Sequence, residues 1–138
     1  MGKRNIVRWD GYHVPVSSFS MAVRVSPGAE LVFVSGITAR QADGTLLADA
    51  DIDGQTRLIF DNIKGILAQV GGTLDDIVKT TAYVRDANQI ERYRDVRNEY
   101  FGYEPPASTI VEVSRLYDPR MLVEVEAIAA IQPADAPR

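Results

Sequence analysis

Pro105-Pro106-Ala107-Ser108-Thr109-Ile110-Val111-Glu112-Val113 and Leu122-Val123-Glu124-Val125-Glu126-Ala127-Ile128-Ala129 are the two stretches on which the fold of this chain turns. The paired prolines stop a helix, so the spacing predicts an extended segment from Ser108 to Val113. A Tyr117-Asp118-Pro119 turn leads into a last strand from Leu122 to Ile131. Side chains repeat every second residue along a strand, which puts Glu124 and Glu126 on one face. Carboxylates on such apolar strands, Glu112 included, need partners. Either they form ion pairs with Arg115 or Arg24, or lie exposed at a subunit rim, or they act as general acid or base. The hydroxyls of Ser108 and Thr109 are equally open, as ligand contacts or as partners for backbone.

Toward the N-terminus, Asn88 opens a helix, capping its first turn while Glu91 reaches back. Ile90, Tyr93, Val96, Tyr100 and Phe101 share its sheet-facing side, and Gly102 ends it. Ile77 to Arg85 alternates as a strand does. An earlier helix carries Ile59, Ile63, Ile66, Leu67 and Val70 on one stripe and stops at Gly71-Gly72, where left-handed backbone costs little. Residues 37–50 read as a loop. Met21–Val25 and Leu31–Val34, separated by Pro27-Gly28, are expected to pair as a hairpin. The sum is one domain over residues 1–138, with a lead at 1–16, a fraying tail at 132–138, and an α+β sheet carrying two helices on one face. Leu31-Val32-Phe33-Val34 has no polar parity, and Ile128 opposes Ala127 and Ala129. Two helices cover only one side, so the other is expected to bury itself against further copies of the chain.

With a formal net charge of -4, the chain has no overall positive field, and nucleic acid is not an expected partner. Having no cysteine, it has neither disulfides nor thiolate chemistry. Arg8, Asp10 and His13 interrupt any apolar leader, and no window reaches the roughly 20 apolar residues of a membrane span. A cytoplasmic protein is expected. Asp49-Ala50-Asp51-Ile52-Asp53-Gly54 matches half of a calcium loop, but its twelfth position is Phe60, so Asp51 and Asp53 read better as charges at a helix N-terminus. His13 is the only histidine, and no phosphate-binding glycine spacing occurs. No metal is expected.

The two opening stretches closely resemble the C-terminal signature of the Rid (YjgF) proteins, the reactive intermediate deaminases. Leu31-Val32-Phe33-Val34-Ser35-Gly36, Gln55-Thr56-Arg57, Asp61-Asn62-Ile63-Lys64, Asp76-Ile77-Val78-Lys79-Thr80-Thr81 and Tyr83-Val84-Arg85-Asp86 are similar too. The resemblance implies a chorismate-mutase-like α+β subunit, a homotrimer with an inner barrel, and small-molecule clefts at the subunit interfaces. It also implies hydrolysis of enamines and imines such as 2-aminoacrylate, without metal or cofactor. In that family an arginine grips the substrate carboxylate and a glutamate positions water. Carried across, the glutamate falls on Glu124, the backbone-binding glycine on Gly36, the residue flanking the carboxylate on Ile110, beside Thr109, and the arginine on Ser108. Phe19 stands where the family has tyrosine at the cleft mouth, and Ile37 where it has glutamine. A serine has no charge and no fork, so a substrate other than the archetypal 2-imino acids is expected, with Arg115, Arg85 or Arg24 as replacement cations. A non-catalytic metabolite-binding protein of the same fold is the alternative. Ribonuclease activity, attached to some relatives, ranks last on the acidic composition.

Overall fold

A computed structural model describes residues 4–13, 19–102 and 104–133. Eight elements follow one another: β1 (Arg4–Val7), β2 (Ala22–Val25), β3 (Glu30–Ile37), α1 (Ile52–Ala68), β4 (Ile77–Val84), α2 (Ile90–Asn98), β5 (Ala107–Glu112) and β6 (Val123–Ile131). The main sheet runs β3-β6-β4-β5 and is mixed, with β4 and β5 parallel and the other pairs antiparallel. Val78, Thr80, Ala82 and Val84 of β4 and Val123, Val125, Ala127 and Ala129 of β6 are buried. The core they join includes Ile59, Phe60, Ile63 and Leu67 of α1 and Tyr93 of α2.

The expected hairpin does not form. β2 pairs with β1, inside the supposed lead, and β3 pairs with β6. Gly28 does make its turn, with a φ of 86°. The separation has a physical cause: Leu31–Val34 is apolar on both parities and finds a buried partner in Ala127–Ala130. β2 alternates half-buried Val23 and Val25 with exposed Ala22 and Arg24, and is satisfied by a short ribbon. Four residues of β1 are too few to show a period.

Both helices differ at their edges from the sequence reading. Along α1 the buried arc drifts from Ile52 and Gln55 to Phe60, Ile63 and Leu67. Ile66 is thereby left outside at 40% exposure, and Val70, past the helix end, at 46%. Asp51 caps α1 by accepting from the Gly54 N–H at 3.0 Å, and Arg92 bridges Asp51 and Asp53. Asp86, rather than Asn88, caps the second helical segment: its carboxylate accepts from the Asn88 N–H at 2.9 Å, starting a 3-10 turn at Ala87–Gln89 before α2. Aspartate is as good a cap as asparagine, and it lies earlier in the chain.

Gln55, fully buried, ties α1 to the approach of β6. Its amide donates to the Arg120 carbonyl at 3.0 Å and accepts from the Leu122 N–H at 2.9 Å. Gln55→Ala is expected to cost about 2–4 kcal/mol, because two part-buried hydrogen bonds to backbone are lost together. A urea titration reads this directly; a loss under about 1 kcal/mol would mean that water takes over both bonds.

Candidate functional site

Glu124 stands on β6 beside Gly36, at the irregular step of β3 between Val34 and Ile37. A Cβ built on Gly36 would lie 2.4 Å from Glu124 Oε1 and 3.0 Å from Cδ, so the carboxylate rests where only bare backbone leaves room. Among the described residues, no hydrogen bond or ion pair engages this half-buried carboxylate. Its neighbours are different. Glu126 accepts a short hydrogen bond from the Tyr83 hydroxyl, which raises the Tyr83 pKa, and Glu112 accepts from the Ala87 N–H at 2.8 Å. Neither meets Arg24 or Arg115: both carboxylates are exposed, and neutral donors stand where ion pairs were one of the expectations. Next to Gly36 and Ile37 opens a cavity of about 560 Å³, walled on its other side by Asn62 and Ile66 of α1.

Ser108 lies elsewhere. Glu124 is level with Tyr83, and Tyr83 with Val111, three residues beyond Ser108. Two strand spacings across and three residues along place Ser108 about 10 Å away in each direction. The odd offset also turns it to the opposite face. Thr109 faces the side of Glu124, accepting from Lys79 Nζ at 2.8 Å. Ile110, half-buried, packs against the core below. Phe19 precedes Ser20, whose N–H donates to the Pro106 carbonyl at 3.1 Å and which bridges Ala107 in parallel. The candidate residues thus form two groups within one chain: Gly36, Ile37 and Glu124 toward β3, and Phe19, Ser108, Thr109 and Ile110 on or beside β5.

A residue that the sequence reading passed over stands at Ser108. Arg97 of α2 is 1% exposed and its Nη1 donates to Ser108 Oγ at 2.9 Å. Nη2 makes a longer bond of 3.4 Å to Asn98 Oδ1, and Nε, also buried, has no hydrogen-bond partner. The guanidinium sits 5.9 Å from the centre of the Tyr93 ring. Burial pulls the Arg97 pKa down, with Arg94 adding to the effect against Tyr93, and burial pushes the Tyr93 phenol well above its usual range. Arg85, by contrast, donates to the Pro119 carbonyl, and is not the cation at Ser108. The sequence did carry a signal: Arg97 is four residues after Tyr93 and three before Tyr100, a cation inside the apolar stripe of α2.

Comparison with known proteins gives one consistent answer. The family model described as Endoribonuclease L-PSP matches residues 12–131. A RutC family protein of Pyrococcus abyssi is 39% identical over 116 residues, 83% of this chain and 87% of that protein. The 3-aminoacrylate deaminase RutC of Acinetobacter baylyi is 29% identical over 128 residues, 93% of this chain and 98% of that protein. A Rid-family crystal structure from Yersinia pestis superposes with a TM-score of 0.84 at 26% identity, over 94% of this chain and 100% of that one.

Proposed function

Because this chain belongs to the Rid (YjgF, endoribonuclease L-PSP) family, we propose that it hydrolyses a small enamine or imine in clefts between the subunits of a homotrimer. Glu124 carries the proposal: a half-buried carboxylate, laid on the bare backbone of Gly36, that no described side chain engages. A carboxylate held by an ion pair is spent on structure. A free one in fixed position is suited to orient water. In the reaction, the enamine takes a proton at carbon to become an iminium ion. Water, its proton accepted by Glu124, adds to the electrophilic carbon. The carbinolamine then expels ammonia as the carbonyl forms, so one enamine and one water give one carbonyl compound and one ammonia. The proton added at carbon comes from solvent, and Glu124 returns to solvent the one it accepts, so water and a base close the cycle and the proposal invokes no cofactor.

The separation of the candidate residues within one chain supports the interfacial location. Glu124, Gly36 and Ile37 of one protomer would complete a cleft with the edge of β5 in the next, where Phe19, Thr109 and the half-buried Ser108 stand. Exposed apolar residues on the sheet face away from the helices, Leu31 at 48% and Phe33 at 71%, give that contact a driving force. The name of the Acinetobacter relative suggests the first substrate to try, 3-aminoacrylate, in which the carboxylate is one carbon farther from the nitrogen than in a 2-imino acid. The test generates this enamine in situ and follows ammonia. Release well above the spontaneous rate is the expected result. No acceleration with either 3-aminoacrylate or 2-aminoacrylate would instead favour a metabolite-binding protein of the same fold. No helix among the described residues is long and apolar enough to cross a membrane.

A further inference from the structure

We infer that Arg97, acting through the Ser108 hydroxyl, forms the anchor for the substrate's carboxylate, so that the cation arrives from α2 behind the strand rather than from the strand itself. The inference rests on the proposed cleft and gives it a preference for anionic substrates.

Among the described residues, Arg97 is a cation without a counter-charge. None of the described ion pairs includes it, and the charged group that acts on it besides the Tyr93 phenol is another cation, Arg94. Burying such a charge is costly, and a fold that merely needed bulk there would be served as well by an apolar side chain. Orphaned polar atoms in the same layer deepen the cost: Arg97 Nε, Tyr93 Oη and Thr80 Oγ1 are all buried without hydrogen-bond partners, and Thr80 is level with Ser108. An anion close by would offset it.

The route for that anion is through Ser108. Its oxygen already accepts from Arg97, so its own hydrogen is left to donate elsewhere. Ser108 is half-buried whereas Arg97 is almost wholly enclosed, which makes the hydroxyl the exposed end of the pair. A hydroxyl polarised by a guanidinium in a low-dielectric layer is a stronger donor to a carboxylate than a serine in water. Arg97 is therefore a positioning residue and Ser108 the contact. A single donor backed by buried charge recognises an anion without demanding the fork geometry of a strand arginine, which accommodates a carboxylate set farther from the reacting nitrogen.

The experiment compares wild type, Arg97→Met, Arg97→Lys and Ser108→Ala on a carboxylated enamine and on its neutral amide counterpart, with acrylate as a non-reacting probe for calorimetry. Arg97→Met is expected to raise KM for the carboxylated substrate and Kd for acrylate about tenfold or more, the worth of a charge-assisted hydrogen bond. The amide should be unaffected, kcat nearly so, and the melting temperature should rise because an unpaired buried charge is gone. Arg97→Lys should restore part of the binding, and Ser108→Ala should lose as much as Arg97→Met, with the two losses non-additive when combined. Equal effects on the carboxylate and the amide, or a fall in melting temperature with no change in acrylate binding, would make Arg97 a structural residue and overturn the inference. Acrylate binding lost in Arg97→Met, in a protein that turns over no enamine, would uphold the anchor while refuting the hydrolase. Turnover of both substrates with no acrylate binding would do the reverse.

Discussion

Glu124→Gln is expected to lower enamine turnover by about 10²–10⁴-fold, the usual worth of a positioned acid or base. Glutamine keeps the size of the side chain and one acceptor oxygen but cannot take a proton from water. The half-buried residue has no described partner to lose, so its melting curve should stay close to wild type. Gly36→Ala tests the same geometry from the other side. The new methyl would sit 2.4 Å from Glu124 Oε1, the far end of a flexible side chain, so the carboxylate gives way rather than the backbone. Gly36 does not have a positive φ, and alanine fits its backbone. A displacement on the order of 1 Å costs about 10²-fold in rate with little change in stability. Ammonia release from in situ 3-aminoacrylate, paired with thermal melts of both variants, gives the result. Full turnover in Glu124→Gln would remove the carboxylate from the mechanism, whatever Gly36→Ala does.

Phe33→Asp is expected to dissolve the proposed trimer and, with it, all activity. Phe33 is 71% exposed on the chain alone, level with Ile128 and flanked on the same face by Leu31. Covering an aromatic ring of this size contributes on the order of 1.5–3 kcal/mol per copy, and a carboxylate in its place must be desolvated as well. Three copies multiply both effects. Light scattering coupled to size exclusion should show a trimer for wild type and monomers for Phe33→Asp, and ammonia release should vanish because each proposed cleft draws on two protomers. A wild-type monomer at micromolar concentration would sink the interfacial cleft altogether. Lys79 with Thr109 and Tyr83 with Glu126 form hydrogen-bonded pairs on the same face, so this face is apolar toward β3 and polar toward β5.

Much of this was legible residue by residue. The alternation of Ile77–Arg85, the prolines before Ser108 and the glycine stop after α1 are local signals, and the structure obeys them because backbone preference acts over a few neighbours. The same locality explains the misses. Pro27-Gly28 did make a turn, yet the strands on either side went to different partners, since the choice depended on Arg4–Val7 and on β6. The helix stripe was read on a fixed face, whereas the buried arc of α1 drifts over its 17 residues and leaves Ile66 in the wall of a cavity. Arg97 was overlooked because arginine on a helix is ordinarily read as surface; its place in the stripe was the clue.

From its order of residues alone the chain determined the two helices and the strands of the main sheet, that one sheet face would lack cover, and which family pattern it follows. Only the tertiary structure decided that Glu124 lies on Gly36, 88 positions away in sequence, that the cation at Ser108 is Arg97, and that the two groups of candidate residues stand apart within one chain. Periodicity is written into neighbouring residues, whereas the meeting of a carboxylate with a glycine, or the burial of a charge, is settled by the packing of elements that the sequence keeps distant.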